Sequence, residues 1–435
     1  MVVYTPDITS RIQYIFHFIL SDILGIGFRL TTDARDLFTA EDAGLNYSPE
    51  DIPGALWVRP AGLLNQTGTG AAEPEIRVSK GKVLLFPSSR GYPFDLFSAA
   101  FYLVTRYEEY RSAARDRHGR FPAQASLATR MGFLGEPVVD GWAFELLAAL
   151  RSMFPQLKHT RRQVAFLSTI DIDVAWAYRG KPAWRIMAST LGDLFSGRFA
   201  RLKQRFMVVA GKQPDPYDVY DYLLAVHERY NIHPLFFFQV GNYGRYDRNV
   251  PAGEPAYRRL IRQLMERGTI GLHPSYVSAG NEKILRKEIS TLADVTGMPV
   301  VHSRQHYLKI TLPDSYRHLL KNGIREDYSL GYASLPGFRA GTCTPFFFYD
   351  LENESQTLLK VFPITFMDGT LNEYMHLSPD EAVVTIRGLI DKVRRVNGTF
   401  HSLWHNHSLS ETGHWKGWRK VYEEMLRMAG MEGTV

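Results

Sequence analysis

The feature that most constrains this chain is a periodicity. Between residues 164 and 405, apolar runs of strand length alternate with amphipathic segments of helix length. The strand-length runs fall at 164–171, 233–240, 269–273, 298–303, 323–328, 359–366 and 399–405. Helical segments lie between most of them, at 218–230, 254–267, 282–295, 314–322 and 379–396. Several open with Asp, Ser or Pro, as in Ser378-Pro379-Asp380-Glu381. These residue types suit a first helical turn, whose N–H groups lack partners within the helix. Strand–helix repetition of this kind builds parallel strands, because each helix carries the chain back to the same end of the sheet. The expected fold is therefore α/β: an irregular seven-stranded (β/α) barrel over residues 161–435, preceded by a smaller α/β domain over 1–160. At 435 residues the chain exceeds one ordinary core, and the basic stretch Lys158-His159-Thr160-Arg161-Arg162 reads as the link.

Residues 1–160 are less regular. A helix is expected near 10–24, a strand at 82–87, and a helix over 95–110 that carries Arg106-Tyr107-Glu108-Glu109-Tyr110. Asp116 and His118 follow in Asp-Arg-His-Gly-Arg-Phe, and they read as a salt-bridged helix end and loop rather than a second metal site. The apolar stretch 12–28 is interrupted by His17 and Asp22, which makes it an amphipathic helix and not an anchor. With no basic leader and no stretch of spanning length, a cytoplasmic location is expected. The single cysteine, Cys343, excludes an intrachain disulfide and any Cys-rich metal site. The net charge of +6 favours anionic partners. No run of Lys and Arg interleaved with aromatics marks a nucleic-acid groove, so no nucleic acid is expected.

In such barrels chemistry sits at the C-terminal ends of the strands. The first run ends Phe166-Leu-Ser-Thr-Ile-Asp-Ile-Asp, with Asp171 and Asp173 pointing the same way. Two carboxylates facing one mouth repel each other unless a cation or a shared proton intervenes. The third run ends at His273, the fourth is followed by His302 and His306, and the seventh ends at His405. Asp and His together make a ligand set for a divalent ion, zinc being the commonest.

Here a resemblance enters. Ser168-Thr-Ile-Asp-Ile-Asp resembles the first motif of the polysaccharide deacetylases, the NodB-homology group or carbohydrate esterase family four. Leu272-His-Pro-Ser-Tyr lies where that family's second motif supplies metal histidines, Arg304-Gln-His-Tyr resembles the third motif, and Leu403-Trp-His-Asn resembles the fifth. Order and spacing match across residues 161–435, and the N-terminal region is similar to the accessory domain of a WbmS-like branch. The resemblance implies a metal-dependent hydrolase that removes an acyl group, N-acetyl first, from a saccharide in cell-surface polysaccharide biosynthesis. It implies Asp171 as general base, Asp173 and His273 as metal ligands, His405 as general acid and the Tyr307 N–H as an oxyanion donor. Arg304 would orient Asp171.

The departures are specific. Val277 stands where the second motif has its second histidine, so a third ligand comes from elsewhere: His306 first, with His302 and Ser278 behind it. The fourth motif is represented only loosely, by Glu326-Asp-Tyr-Ser-Leu-Gly-Tyr. Arg339 stays open between contact with an anionic part of the substrate and a structural ion pair. The expected cofactor is a divalent metal, zinc first, and the expected substrate a saccharide or a lipid-linked or nucleotide sugar. Two rivals stand beside this reading. One is a non-catalytic saccharide-binding pseudoenzyme on the same barrel, and the other a two-carboxylate glycosidase with Asp368 as its second acid.

The insertion 178–212 carries eight Lys and Arg against the single acid Asp193, interleaved with Trp184, Leu191, Phe195, Phe199 and Phe206. Their spacing gives an apolar face to two short helices. Peripheral contact with a membrane is one expectation. Packing of that face on the barrel or the N-terminal domain is the other.

Overall fold

A computed structural model describes residues 1–39, 43–70, 73–79 and 81–430. In the N-terminal part, β1 (Val2–Tyr4), β2 (Arg29–Thr31), β3 (Gly44–Asn46) and β4 (Leu56–Trp57) form a parallel sheet ordered β2-β1-β3-β4. An antiparallel pair, β5 (Ile76–Ser79) and β6 (Lys82–Leu85), follows. The helix expected near 10–24 is an α-helix, Ser10–Phe16, running into a π-helical turn, His17–Ile23. The helix expected over 95–110 is broken into Leu96–Val104 and Tyr107–Arg111, because Arg106 takes a left-handed backbone with φ 57°.

Among the described residues from 165 onward, nine strands form one sheet. They are β7 (Ala165–Ile172), β8 (Leu235–Phe238), β9 (Thr269–Leu272), β10 (His302–Ser303), β11 (Glu326–Asp327), β12 (Phe346–Asp350), β13 (Ser355–Val361), β14 (Phe366–Met367) and β15 (Thr399–His405). Their order is β12-β13-β11-β10-β9-β8-β7-β15-β14, and every pair is parallel except β12 with β13. The crossover helices Tyr220–Arg229, Pro255–Met265, Glu282–Thr296, Asp314–Lys321 and Pro379–Arg395 lie where the sequence pattern puts them. The last opens on a capping box: Ser378 Oγ accepts the Glu381 N–H, and the Glu381 carboxylate accepts the Ser378 N–H.

The expectation of a closed seven-stranded barrel is corrected in number and in closure. The ladder has nine strands and two open ends. The run expected at 359–366 is divided around Pro363, which has no N–H to give a ladder. Its first half, β13, pairs with β11; its second half, β14, pairs with β15 at the far end of the sheet. In a flat sheet the seven strand spacings from β13 to β14 would measure about 34 Å. The connection through 362–365 reaches no more than about 19 Å. The sheet therefore curls round, and its C-terminal strand ends share one mouth lined by Asp171, His273, His306 and His405.

The antiparallel β12 is unexpected from the sequence pattern and joins the two halves of the chain. Phe346 meets Phe18 at 6.1 Å between ring centres, and Tyr349 meets Tyr14 at 5.0 Å. One continuous hydrophobic cluster runs through both halves. Among the described residues no helix is long and apolar enough to cross a membrane.

Candidate metal centre

Strand register assembles the site. His405, Asp171, Phe237 and Gly271 are direct partners across β15, β7, β8 and β9, so they form one row. Two residues further along their chains, Asp173, Gln239 and His273 form the next row toward the mouth. Gly271 is needed in the first row: a Cβ there would stand 2.5 Å from the Phe237 ring. That ring in turn lies 4.5 Å below the Arg304 guanidinium, a cation–π contact in a dry interior.

Arg304 is fully buried and shares its donors among four acceptors. It gives hydrogen bonds to Asp171 Oδ1 at 2.8 Å, the Tyr328 carbonyl at 2.9 Å, Thr169 Oγ1 at 2.7 Å and His401 Nε2 at 2.8 Å. Burial and the neighbouring Arg304 charge keep the His401 imidazole neutral and able to accept. Asp171 is thereby fixed with its Oδ2 turned toward His273 Nε2, 3.8 Å away.

The centre of the site holds an arrangement that is unfavourable without a cation or a shared proton. His273 Nδ1 lies 2.6 Å from the Arg304 carbonyl, a group that only accepts, so Nδ1 carries a proton, and in the neutral ring Nε2 presents a lone pair. That lone pair faces Asp173 Oδ1 at 3.0 Å. Both atoms are buried and neither has a hydrogen-bond partner. His306 Nε2 stands 3.5 Å from the other oxygen of Asp173. The three residues offer ligand atoms that all lie within 4.8 Å of one another. A tetrahedral zinc with bonds near 2.0–2.1 Å holds its ligand atoms about 3.3 Å apart, close to the 3.0 and 3.5 Å that separate the two imidazole nitrogens from the Asp173 oxygens.

Each histidine has its second nitrogen anchored, as metal-binding imidazoles do. His306 Nδ1 lies 2.9 Å from Asp247 Oδ1, and the Gln239 amide is within 2.9 Å of both partners. Burial opposes charge on His306, but Asp173 and Asp247 raise its imidazole to about 9. Burial also opposes the Asp173 charge, yet His306 and His405 hold that carboxyl well below its usual range. At the rim, His405 Nδ1 lies 2.8 Å from Asp368 Oδ1, while the His405 N–H is given to Asp368 Oδ2 at 2.8 Å. Burial works against a charged His405 as well, but Asp368 and then Asp173 raise it to about 10. Its Nε2 is 3.7 Å from Asp173 Oδ2.

Asp171, Asp173, His273, Arg304, His306 and His405 thus come together as the sequence pattern suggests. Tyr307 also lines the cavity, a space of about 320 Å³. Its backbone is left-handed, φ 62° and ψ 12°. Arg120 of the N-terminal half fixes it by donating to its carbonyl at 2.7 Å. Asp116 and His118 bear out the structural reading: Asp116 grips Arg120, and the His118 ring packs 4.8 Å from Tyr307. Arg339 does not reach the site. It is buried and pairs with Glu109 through two bonds, at 2.9 and 2.6 Å, while Arg106 joins the same carboxylate at 2.8 Å. Substrate contact by Arg339 is therefore replaced by an ion cluster that ties the two halves of the chain.

The runners-up for third ligand lie elsewhere. His302 is held by Glu326 at 3.0 Å, and Ser278 donates to the Ser275 carbonyl at 2.7 Å. Val277, at the position of the missing histidine, is half exposed. Sequence reasoning missed Asp247 and Gln239, for which the chain carries no local signal, and Arg120. It did place Asp368 at the rim, but as a glycosidase acid; the structure makes it the buried partner of His405.

Residues 1–155 match a family of unknown function (DUF7033). Among curated proteins none matches the chain. Several solved structures are similar to it, three of which follow. A Mycobacterium smegmatis protein assigned as a polysaccharide deacetylase shares 17% identity at a TM-score of 0.40, over 61% of this chain and 85% of its own. An allantoinase shares 11% at 0.40, over 62% and 86%. A Pseudomonas aeruginosa PAO1 protein assigned as a polysaccharide deacetylase shares 12% at 0.39, over 61% and 84%.

Proposed function

We propose that this chain is a metal-dependent hydrolase that removes an acyl group, N-acetyl first, from a saccharide, on a NodB-type barrel spanning residues 161–435 behind an accessory domain of residues 1–160. The observation that carries the reading is the convergence of Asp173, His273 and His306, with the buried His273 Nε2 and Asp173 Oδ1 3.0 Å apart and without hydrogen-bond partners. Two acceptors held face to face in a dry site repel unless a cation or a shared proton lies between them, and the third donor, His306, completes a set suited to a metal ion. Asp173, His273 and His306 would hold that ion, zinc first. When bound, it would polarise the acyl oxygen and acidify a water.

The chain's own groups supply the proton traffic. Asp171 Oδ1 is engaged by Arg304, so the proton from the attacking water goes to Oδ2. His405 has its Nδ1 proton committed to Asp368, which leaves the Nε2 proton for the departing amine. Asp368 stabilises the imidazolium in both charge and orientation. Tyr307 N–H is assigned to the oxyanion. Retention of base, acid and a complete three-residue ligand set supports catalysis over simple saccharide binding. The distinguishing experiment follows acetate release from N-acetylated saccharides by protein stripped of metal, with and without added zinc. Release only with zinc supports the proposal; equal release with and without chelator overturns it.

A further inference from the structure

The helical hairpin Ala183–Phe195 and Phe199–Val209 is built inside out. Its buried side chains are Arg185, Asp193, Arg205 and Val208, three of them charged. Eight of the 19 exposed large apolar side chains among the described residues lie in these two helices, led by Phe195 at 86%, Phe199 at 66% and Phe206 at 64%. The polar side is locked inward. Arg205 pairs with Asp193 and donates to Thr190 Oγ1 at 2.8 Å. Arg185 donates to the Asn249 carbonyl at 2.8 Å and lies 4.0 Å over the Tyr243 ring. The hairpin therefore cannot roll its apolar face onto the barrel without stripping buried charges of their partners, and packing of that face on the protein is not what the fold does.

Charge identifies the occupant. Residues 178–212 carry eight Lys and Arg against one Asp, a net +7 within a chain whose total is +6, so the other 400 residues together carry −1. Beneath the hairpin a cleft of about 1000 Å³ is lined by Lys181, Arg185, Arg198, Arg201, Arg205 and Arg248, with only Asp193 and Glu373 as acids. The cleft shares Tyr217, Arg248 and His407 with the wall of the metal-centre cavity. A second copy of the chain would bring the same positive charge against this face and be repelled. An anionic lipid surface meets both halves of the pattern, apolar side chains entering the acyl boundary and the exposed Arg198, Arg201, Lys203 and Lys212 meeting headgroup phosphates.

We propose that the 183–209 hairpin docks this protein on anionic bilayers and holds the cationic cleft against the headgroup layer. The test uses the full chain and vesicles of phosphatidylcholine with or without phosphatidylglycerol, sedimented at low and high salt. Expected is binding to the phosphatidylglycerol vesicles that weakens at high salt. Phe195→Ser with Phe199→Ser, both surface changes, should abolish most of it at either salt. Lys203→Gln with Lys212→Gln should weaken it roughly 30-fold, about fivefold per charge, on anionic vesicles only. No binding to anionic vesicles at low salt, or binding indifferent to the Phe pair, overturns the proposal. So does a dimer in solution that the Phe pair dissolves, because a second copy then covers the face. Vesicle binding needs neither metal nor turnover, so it stands or falls apart from the deacetylase reading.

Discussion

Consider replacing Asp368 by Asn. The change keeps the shape of a fully buried side chain and removes the charge 2.8 Å from His405 Nδ1. Asp368 is the leading cause that raises His405 to about 10. An opposite charge at this range is worth about 1–3 pH units. His405 acts as an acid, so activity requires its protonated form and is lost as pH rises through its pKa. Without Asp368 that pKa falls, and the alkaline limb of kcat/KM should move down by about 1–3 pH units. A cation on Asp173 lowers His405 in both proteins, because Asp173 supplies part of the rise; the difference between them survives. Above the new limb, turnover should drop roughly tenfold for every pH unit by which the limb has moved. The assay is kcat/KM against pH on a confirmed N-acetyl-saccharide, with zinc saturating. An alkaline limb that stays in place would refute the assignment of His405 as the acid and Asp368 as its support.

Asp171→Asn should still bind zinc while losing about a hundredfold or more in turnover, whereas Asp173→Asn should lose zinc; equal loss of metal by both would undo the division of roles. His306→Ala should weaken zinc binding far more than His302→Ala, whose ring is held by Glu326 away from the centre; competition with a chelator measures both, and equal effects would remove His306 from the ligand set. Arg339→Met breaks a buried pair with Glu109. It should cost about 3–5 kcal/mol, read as a fall in the urea midpoint, with zinc affinity intact. An unchanged midpoint would show that this cluster does not clamp the halves together.

Much of the strand–helix alternation was legible because the physics acts locally. Thr399–His405 is recovered residue for residue, since an apolar run bounded by Gly398 and Asn406 leaves few other options. Asp171, Asp173, His273 and His405 were readable because polar residues at the ends of apolar strands are costly without a task. The strand at 359–366 read as one element, and only the pairing shows that Pro363 lets its two halves serve opposite ends of the sheet. Asp247 sits 59 residues from the His306 it supports, and Glu109 sits 230 residues from Arg339, so no spacing rule could join them. In the hairpin the period was legible but the side that faces inward was not. That choice depends on Asn249 and Tyr243, which meet Arg185 only in the folded chain.

The central claim is that Asp173 and His273 face each other across a divalent ion. Zinc affinity by chelator competition, in the wild type and in His273→Ala, tests it most directly. One ion per chain is predicted in the wild type, bound roughly a hundredfold or more tighter than in the variant. Equal affinity in the two proteins, or no zinc bound by either, would contradict it.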